Sequence, residues 1–543
     1  MKTEFLGKTV SGPFTIPSGI VSTAPSIIQR IFDDLPEIGV ITTKSVGPVP
    51  RAGNREPVYS QYAPGCFVNA VGLTNPGAEE ARKGFESLTI PKDRFLLVSI
   101  FGGNIDEFVE VAKILAPVAD GLELNLSCPH AQGYGMAMGQ DPEMVKAIVS
   151  AVKAAVDVPV IPKLTPNVDR IEDIGLAALE AGADGLCAIN TVGPGYTESH
   201  GHPVLSNGMG GMSGSGVLPT ALKCIRALKT ITDKPIIGCG GLSTADDCRA
   251  AISAGASIIG VGSALSGMDT EDMNTYFRQL QTDLDNGSNK AKEGLNLDLD
   301  MDFALYKVVA NEPVCEDITV VTLDGNINIQ PGEYVFVWIP GVGEKPFSCL
   351  TDSPLRLAVI DVGQFTSASY QLKPGDNVYI RGPHGAPVIP KDDANIICVA
   401  GGTGLAAVYQ VARDFGSNEN PAQIFAGARS ANRLYFTEEC KDIAEVHIAT
   451  DDGSAGFSGR VTDALRDYLE TLDADTLART EFYNCGPEPM IHAAEAVQRD
   501  FVGASQMFSA IDYTTKCGVG ICGACASPDG RRICVDGPFI NTQ

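Results

Sequence analysis

The sequence is poor in histidine, in basic residues and in long apolar runs. Six histidines in 543 residues argue against a multi-histidine metal centre or a histidine-based hydrolase site. Forty lysines and arginines against 66 aspartates and glutamates leave a net charge of −26, and such a chain is unsuited to neutralising nucleic-acid phosphates. No apolar run approaches the roughly 20 residues that cross a bilayer. We therefore expect neither a nucleic-acid partner nor a membrane.

Cysteine is present, but not in a pattern typical of disulfides. Fifteen cysteines, an odd number and mostly scattered, predict a reduced, cytoplasmic protein. The start, MKTEFLGKTVSG, has Glu4 and Gly7 where a signal peptide needs an apolar stretch. The composition is that of a globular protein, with 44% hydrophobic and 20% charged residues, and the length suggests three or four domains. The sequence thus predicts a cytoplasmic enzyme acting on a small molecule.

Eight apolar segments recur within residues 1–283, and most are followed by a segment of helical periodicity. Strands that are apolar on both faces suit a parallel sheet covered by helices. Eight such units over about 250 residues predict an α/β fold, a (β/α)8 TIM barrel; a doubly wound open sheet is the alternative. The segments are FTIPSG (14–19), VITTKSV (40–46), FLLVSIFG (95–102), GLELNLS (121–127), PVIPKLTP (159–166), GLCAINTV (185–192), PIIGCGGL (235–242) and SIIGVGSAL (257–265).

Polar and glycine residues close these predicted strands, where barrel enzymes carry out their chemistry. Three glycine-rich segments leave backbone N–H groups accessible and together predict a phosphate site: GCGG (238–241), GVGS (260–263) and GGMSG (210–214). For each segment alone, the alternative is a tight turn. Lys44 and Lys163 predict an anionic or electron-rich ligand, unless they are structural ion pairs with Glu123 or Asp184.

Cys128 follows the fourth predicted strand on a loop bounded by proline, close to Asn125 in sequence. A cysteine at a catalytic strand end can act as a general acid–base. The alternative is an inert core thiol, which is what most lone cysteines are.

Six segments of this half resemble dihydroorotate dehydrogenases, in the class that works with a separate iron–sulfur flavoprotein subunit. They are TTKSVGPVPRAGNREP (42–57), NAVGLTNPG (69–77), ELNLSCPHAQGYGMAMGQDPEMV (123–145), PKLTPNV (162–168), INT (189–191) and LSNGMGGMSG (205–214). The resemblance implies FMN bound by Ser18, Lys44, Ser45, Lys163, Ser213, Gly214, Gly240, Gly241, Gly262 and Ser263. It implies a pyrimidine held by Lys44, Asn69, Gly72, Leu73, Asn125, Asn190 and Thr191. Cys128 would remove the proton from the fifth ring carbon while hydride leaves the sixth.

Two features depart from that family's pattern near the implied pyrimidine. His130 stands where many relatives have asparagine, and GPGYTESHGH (193–202) replaces the usual residues after the Asn-Thr pair. The SCPH and GQDPE motifs are shared with dihydropyrimidine dehydrogenase, which reduces uracil and thymine. That enzyme is therefore the alternative resemblance.

The second half of the sequence predicts further small domains, which follow a polar linker at 284–301. Short alternating segments over 302–391 predict an antiparallel β-barrel. The stretch NIICVAGGTGLAAVYQ (395–410) has the strand, glycine turn and helix that place a pyrophosphate at a helix N-terminus. The sequence therefore predicts a dinucleotide domain over 392–505.

Four cysteines near the end are spaced Cys517-x4-Cys522-x2-Cys525-x8-Cys534. This is the plant-type spacing of 2Fe–2S ligands, and it predicts a cluster domain over 506–543. A zinc site with four cysteine ligands is the alternative, while disulfides conflict with a reduced compartment.

The second half resembles the electron-transfer subunit of dihydroorotate dehydrogenase, a member of the ferredoxin-reductase superfamily. The resemblance rests on KPFS (345–348), GQFTSASY (363–370), GPHGAP (382–387), GGTG (401–404), TDDGSAGFSG (450–459), CGPEPM (485–490) and the cysteine loop. It implies FAD at Lys345, Pro346, Phe347, Ser348, Gly363 and Thr366, and NAD at Gly401, Gly402, Gly404, Cys485, Gly486 and Pro487. Lys345 replaces a usual arginine and Ala407 a usual proline, and a lysine cannot form an arginine's bidentate fork on phosphate.

Together the resemblances imply two subunits fused in one chain, an NAD-dependent dihydroorotate dehydrogenase of pyrimidine biosynthesis. Electrons would pass from dihydroorotate through FMN, 2Fe–2S and FAD to NAD+, in a homodimer paired through its barrels. Two alternatives stay open: an NAD(P)H-dependent pyrimidine reductase, and an electron-transfer flavoprotein whose barrel has no catalytic role.

Overall fold

The first half of the chain alternates strands and helices, as its sequence pattern predicts. The structure is a computed structural model and describes residues 2–126, 136–417 and 419–541. Met1–Met301 and Val519–Arg532 form one compact unit. Its strands are β1 (Thr3–Phe5), β2 (Lys8–Val10), β3 (Phe14–Ile16), β4 (Ile38–Thr42), β5 (Tyr59–Ala63), β6 (Cys66–Asn69), β7 (Phe95–Ile100), β8 (Gly121–Asn125), β9 (Val160–Leu164), β10 (Leu186–Ala188), β11 (Val192–Gly195), β12 (Glu198–Ser199), β13 (His202–Pro203), β14 (Gly210–Gly214), β15 (Ile236–Cys239) and β16 (Ile258–Gly260). Its helices are α1 (Pro25–Asp34), α2 (Ala78–Glu86), α3 (Ile105–Leu115), α4 (Met136–Gln140), α5 (Pro142–Ala155), α6 (Ile171–Glu180), α7 (Leu218–Lys229), α8 (Ala245–Ala254) and α9 (Thr270–Asn286).

The eight predicted barrel strands close into a parallel barrel in the order β3-β4-β7-β8-β9-β10-β15-β16. This confirms the (β/α)8 prediction and excludes the open sheet. The hairpin of β1 and β2 supplies Phe5 and Val10 to the core cluster that contains Val40 and Phe95. The rings of Phe5 and Phe95 lie 5.1 Å apart, edge to face.

The helices cover the barrel because each buries one apolar face. In α5, Val145, Ile148, Val149 and Val152 are buried, at the i, i+3, i+4, i+7 spacing of one helix face. The Asp141 side chain accepts a hydrogen bond from a backbone N–H of the first turn and so caps the helix. Each buried aliphatic side chain contributes about 1.5–3 kcal/mol, which is ample to fix the helix on the sheet.

A second, antiparallel sheet joins the barrel in the order β11-β14-β6-β5. Its strand β14 is the GGMSG stretch, paired with β6 so that Ser213 faces Phe67 in register. The tight turn, which is the alternative for this glycine-rich stretch, is therefore not formed, and the stretch is an extended strand. Long-range pairing, about 145 residues apart in sequence, overrides the local preference of glycine for turns.

Two segments that the sequence assigned outside the barrel fold with it. Helix α9 ends at Gly287, and the stretch 290–294 turns back as a 3-10 helix. The Asp283 carboxylate accepts hydrogen bonds from Ser288 Oγ and from the Ala291 N–H. Residues 519–532 also belong to this unit, where the Val21 N–H donates to the Ile521 carbonyl over 2.7 Å.

Residues Asp302–Gly518 and Ile533–Gln543 form the other unit. Its strands are β17 (Ala304–Pro313), β18 (Ile318–Leu323), β19 (Tyr334–Ile339), β20 (Gly343–Phe347), β21 (Cys349–Asp352), β22 (Leu355–Ile360), β23 (Asn377–His384), β24 (Asn395–Gly401), β25 (Ala422–Ala428), β26 (Ala444–Thr450), β27 (Phe457–Ser458), β28 (Thr480–Cys485), β29 (Met507–Ala510) and β30 (Ile540–Asn541). Its helices are α10 (Gln364–Tyr370), α11 (Gly404–Phe415), α12 (Thr437–Cys440), α13 (Val461–Leu469), α14 (Ala474–Arg479), α15 (Glu488–Gln498) and α16 (Ile533–Asp536).

This unit contains two sheets: a seven-stranded antiparallel sheet that is not closed, where the sequence predicts an antiparallel β-barrel, and the mainly parallel sheet of the predicted dinucleotide domain. Strands β20-β19-β23-β17-β18-β22-β21 form an antiparallel sheet around an apolar core that includes Val308, Val335 and Leu357. Strands β27-β26-β25-β24-β28-β29 are parallel, with β30 antiparallel at the edge. In the described part of the chain, no helix has the length and apolarity needed to span a bilayer.

Candidate functional site

A cavity of about 1210 Å³, including its open mouth, lies in the barrel unit at the carboxyl ends of the strands. The sequence-predicted residues that line it are Ser18, Lys44, Ser45, Asn69, Gly72, Leu73, Asn125, Lys163, Asn190, Thr191, Ser213, Gly240, Gly241, Gly262 and Ser263. The structure therefore brings together residues that are spread over some 250 positions of sequence. Cys128, with neighbouring His130, lies outside the described residues.

Among the residues that the structure describes, Gly214 is the one predicted barrel residue that does not line the cavity. It stands directly behind the lining, because a Cβ placed on Gly241 would lie 2.6 Å from the Gly214 carbonyl oxygen. Gly241 also has φ +79°, a conformation that favours glycine. These two glycines let β14 and the end of β15 approach closely, so Gly214 shapes the site without facing it.

Lys163 on β9 is almost fully buried, with 5% of its surface exposed, yet it lines the cavity. Burial lowers the pKa of its ammonium, but the nearby Glu123 carboxylate raises it, and the net pKa lies above that of an ordinary lysine. The ammonium is therefore charged at neutral pH. Asp184, considered as its partner, instead pairs with Lys153 at 2.8 Å.

Three amide and hydroxyl side chains of the lining are joined by hydrogen bonds. Asn125 Nδ2 donates to Ser45 Oγ over 2.9 Å, and Asn190 Nδ2 donates to Asn125 Oδ1 over 3.2 Å. Such a network holds the amides in one orientation. An ordered pair of amides suits recognition of a planar heterocycle with alternating donors and acceptors.

The loop between β6 and α2 adds backbone groups to the same cavity. Gly72 and Leu73 both have positive φ, at +84° and +57°, and both line the cavity. A left-handed conformation is costly for leucine, and such strain is concentrated at functional sites.

Several lining residues were not among those assigned to FMN or the pyrimidine from the sequence: Pro17, Gly19, Ile20, Tyr59, Val71, Ile189, Met212, Val217, Cys239, Gly260, Ile521 and Cys522, the last predicted as a cluster ligand. Pro17, Gly19 and Gly260 adjoin predicted strand ends and could have been found from strand position alone. Ile521 and Cys522 could not, because they lie some 500 residues from Ile20 in sequence. Their place in the lining puts part of the cysteine loop against the barrel cavity within one unit.

The candidate FAD residues lie on two neighbouring elements of the second unit. Lys345, Pro346 and Phe347 are on β20, with Ser348 directly after it. Gly363 precedes helix α10, and Thr366 Oγ1 accepts a hydrogen bond from its N–H over 2.9 Å. The rings of Phe347 and Phe365 lie 6.1 Å apart, so the two motifs adjoin.

The candidate NAD residues meet where two parallel strands end. β24 and β28 pair with Ala400 opposite Cys485, so Gly401 and Gly486 are neighbours. A Cβ on Gly486 would lie 2.9 Å from the Gly401 nitrogen, and one on Gly404 would collide with the Cys485 carbonyl. Gly402 turns between strand and helix with φ +53°, and Pro487 adjoins Gly401. A glycine turn that opens a helix after a parallel strand is the geometry of dinucleotide sites.

The four cysteines of the C-terminal loop are all buried and free of disulfides. Cys522 and Cys525 belong to the barrel unit, whereas Cys517 and Cys534 belong to the flanking stretches assigned to the other unit. Among the residues that the structure describes, no three His, Cys, Asp or Glu side chains form a preassembled metal group. Their fit to a 2Fe–2S cluster therefore rests on thiol chemistry, burial and spacing.

The comparison that decides the family concerns the barrel half. The family model for dihydroorotate dehydrogenase matches residues 1–284. The chain belongs to the dihydroorotate dehydrogenase family. Two further models match its second half: the oxidoreductase NAD-binding domain over 398–496, and the iron–sulfur cluster binding domain of dihydroorotate dehydrogenase B over 514–543.

Relatives of this dehydrogenase family resemble the barrel half closely. It is 43% identical over 269 residues to the catalytic subunit of dihydroorotate dehydrogenase B (NAD(+)) from Pyrococcus abyssi, which covers 49% of this chain and 87% of the relative. The subunit of the same name from Methanocella arvoryzae is 42% identical over 271 residues, covering 50% and 87%. That from Methanocaldococcus jannaschii is 39% identical over 269 residues, covering 49% and 87%.

The domains of this dehydrogenase chain are those of an oxidoreductase with FMN, FAD, a 2Fe–2S cluster and NAD. The barrel residues fit FMN on two observations. Lys163 brings a buried positive charge to the cavity, and Gly240, Gly241 and Gly262 line it without side chains, which lets a phosphate approach their backbone. In the second unit, the adjoining KPFS strand and α10 fit FAD, and the ends of β24 and β28 fit NAD.

Proposed function

We propose that this chain oxidises dihydroorotate to orotate and reduces NAD+, according to dihydroorotate + NAD+ → orotate + NADH + H+. One observation carries the proposal: the barrel, the dinucleotide domain and the iron–sulfur segment occur on one polypeptide. The catalytic relatives match only about half of this chain. The chain thus combines a substrate-oxidising part with an electron-transfer part that ends at NAD.

The substrate lies, in this proposal, in the barrel cavity against Asn69, Gly72, Leu73, Asn125, Asn190 and Thr191. The hydrogen-bonded amides of Asn125 and Asn190 support it, because a pyrimidine ring presents matching donors and acceptors along its edge. The ring carboxylate needs a cation or several N–H donors once it is buried. Lys44 and the left-handed turn at Gly72 and Leu73 are the groups we assign to it.

Cys128 is the residue we assign to proton removal. Its thiolate takes the proton from the fifth ring carbon as hydride leaves the sixth, and general bases of this kind accelerate reactions about 10²–10⁴-fold. The assignment rests on its place beside Asn125 in the sequence.

Ser18, Lys44, Ser45, Lys163, Ser213, Gly214, Gly240, Gly241, Gly262 and Ser263 are the residues we assign to FMN. Lys163 supplies a fixed positive charge where a ring or phosphate accumulates negative charge. When bound, the cofactors supply the redox chemistry, FMN accepting hydride and the cluster and FAD conveying electrons to NAD+. The protein's own contribution is to hold Cys522 at the wall of the same cavity, so that the electron path is short.

We further propose a cytoplasmic homodimer without nucleic-acid or membrane partners. The net charge of −26 supports the absence of such partners, because it disfavours anionic polymers and anionic lipid surfaces alike. In this proposal FMN lies in the barrel of 1–283, which 284–301 adjoin, FAD in 302–391, NAD in 392–505 and the cluster in 506–543, of which 519–532 fold with the barrel unit.

Steady-state turnover with NAD+ tests the function. We expect dihydroorotate to be preferred over dihydrouracil by at least ~100-fold in kcat/KM, since a site built for a polar group rejects analogues that lack it. Equal or better turnover of dihydrouracil would instead support a dihydropyrimidine dehydrogenase.

A further inference from the structure

A series of buried hydroxyl groups leads from the barrel cavity into the barrel wall. Ser18 and Ser45 line the cavity, and their Oγ atoms lie 3.0 Å apart. Ser45 Oγ lies 2.9 Å from Ser99 Oγ, which donates to Glu123 Oε1 over 2.9 Å. Ser99 and Glu123 are buried, with 0% and 1% of their surfaces exposed, so water does not compete for these bonds.

Glu123 accepts the last hydrogen bond of this series and is the acidic neighbour of a buried lysine. It lies on β8 beside β9, which carries Lys163, and its carboxylate is the leading group that raises the pKa of Lys163 against the effect of burial. A buried ammonium without such a partner would cost several kcal/mol. The Glu123 carboxylate therefore favours the charged form of Lys163 inside the barrel wall.

Ser99 Oγ is the donor to Glu123 Oε1, and because a hydroxyl has only one proton, this fixes the direction of the whole series. Ser99 donates its one hydroxyl proton to Glu123, so Ser99 Oγ accepts a hydrogen bond from Ser45 Oγ. Ser45 donates its own proton to Ser99. Its two lone pairs accept hydrogen bonds from Ser18 Oγ and from Asn125 Nδ2. Every proton in the series points toward Glu123.

The direction extends to the amides of the cavity. Because Asn125 Nδ2 faces Ser45, its Oδ1 faces the other way and accepts from Asn190 Nδ2. Asn190 Oδ1 in turn accepts from the Thr191 N–H over 2.8 Å. The Glu123 carboxylate, two hydroxyl groups away, thus determines whether each amide presents its oxygen or its nitrogen to the cavity.

We infer that Glu123 is a positioning residue of the site: it orients Ser18, Ser45, Asn125 and Asn190 and neutralises Lys163. This rests on the proposed function, in which the two amides hold the pyrimidine and Lys163 contacts FMN. Glu123 does not touch the substrate; it determines which hydrogen-bonding pattern the substrate meets.

Two variants of the full-length FMN-loaded protein separate the two effects. Ser99→Ala interrupts the series but leaves the Glu123–Lys163 pair, whereas Glu123→Gln keeps the shape and removes the charge. Thr42→Val is the matched control, because Thr42 Oγ1 is also a buried strand hydroxyl, bonded to Thr15 Oγ1 over 3.0 Å. The readouts are the Kd of orotate, from its perturbation of the flavin absorbance spectrum, and the FMN content of the purified protein.

We expect Ser99→Ala to weaken orotate binding about tenfold at unchanged FMN content, since misorienting one or two neutral hydrogen bonds costs about that factor. Glu123→Gln should weaken it at least as much and also reduce FMN content, because Lys163 loses its counter-charge. Thr42→Val should bind orotate as the wild type does. Ser99→Ala alone keeps the test decisive if Glu123→Gln fails to fold.

The inference is overturned if Ser99→Ala binds orotate within about twofold of wild type, or if Thr42→Val loses as much affinity as Ser99→Ala. The proposed function fails independently of the inference if the wild-type protein neither binds orotate nor oxidises dihydroorotate.

Discussion

Arg532 is the residue whose removal should most clearly separate the two halves of the reaction. It is fully buried, with 0% of its surface exposed. Its guanidinium donates to the Gly520 carbonyl over 2.9 Å and to the Met268 carbonyl over 3.0 Å. Arg532 therefore fastens segment 519–532, which carries Cys522 and Cys525, to the barrel.

The effect of Arg532→Met on docking follows from the Met268 bond, because the Gly520 bond lies within the segment itself. A hydrogen bond from a charged group contributes about 1.5–3 kcal/mol, so losing the Met268 bond disfavours docking by about that amount. Since about 1.4 kcal/mol corresponds to a factor of ten, the undocked segment should become roughly ten- to a hundredfold more populated.

Hydrogen exchange measures this undocking directly. The N–H groups of Val21 and Gly267 donate to the carbonyls of Ile521 and Val519, so both barrel amides should exchange faster in Arg532→Met. NAD+ reduction by dihydroorotate should fall, while reduction of an artificial acceptor by the barrel continues.

Arg531→Met is the matched control, because Arg531 pairs with Asp529 at the surface, and exposed pairs contribute about 0–1 kcal/mol. It should leave the Val21 and Gly267 amides protected. The reasoning is refuted if Arg532→Met shows wild-type exchange at these amides, or if Arg531→Met accelerates their exchange as much as Arg532→Met does.

Three further variants test the assigned roles. Cys128→Ala should lose dihydroorotate oxidation by about two to four orders of magnitude while FMN content and NADH-to-dye activity survive; retained turnover would remove Cys128 from the mechanism. Cys522→Ser should lose the 2Fe–2S centre and NAD+ reduction, measured by iron and sulfide analysis and turnover, and zinc in the wild-type protein would contradict the cluster. Lys44→Met should shrink the preference for dihydroorotate over dihydrouracil, because the carboxylate loses a cation; an unchanged ratio of kcat/KM values would place the carboxylate elsewhere.

The barrel could be predicted from sequence because each of its strands carries its own signal. Apolar runs such as FLLVSIFG and GLELNLS need no partner to be recognised as buried parallel strands. Their ends were less well defined: the first predicted strand, 14–19, stops at Ile16, where Pro17 removes a backbone donor. Because the strand ends converge by topology, most of the site could be predicted as well.

Two features of the site could not be predicted, because both depend on contacts distant in sequence. The sheet of β5, β6, β11 and β14 pairs Val68 with Met212, and short strands containing glycine, serine and tyrosine have little local signal. The docking of Ile521 and Cys522 against the barrel also has no periodicity to reveal it. Both features supply cavity-lining residues, so local patterns alone describe an incomplete site.

Lys163 shows why the sequence alternatives for a buried charge need not exclude each other. From the sequence, a lysine at a strand end either faces a ligand or forms a structural ion pair. In the structure Lys163 lines the cavity and is also stabilised by Glu123. A lysine that offers a fixed charge to an electron-rich ligand must be kept protonated despite burial, and only a buried counter-charge does this. The nearby Glu123 carboxylate is therefore a condition for the ligand-facing role of Lys163, and Glu123 should be as sensitive to substitution as the residues that line the cavity.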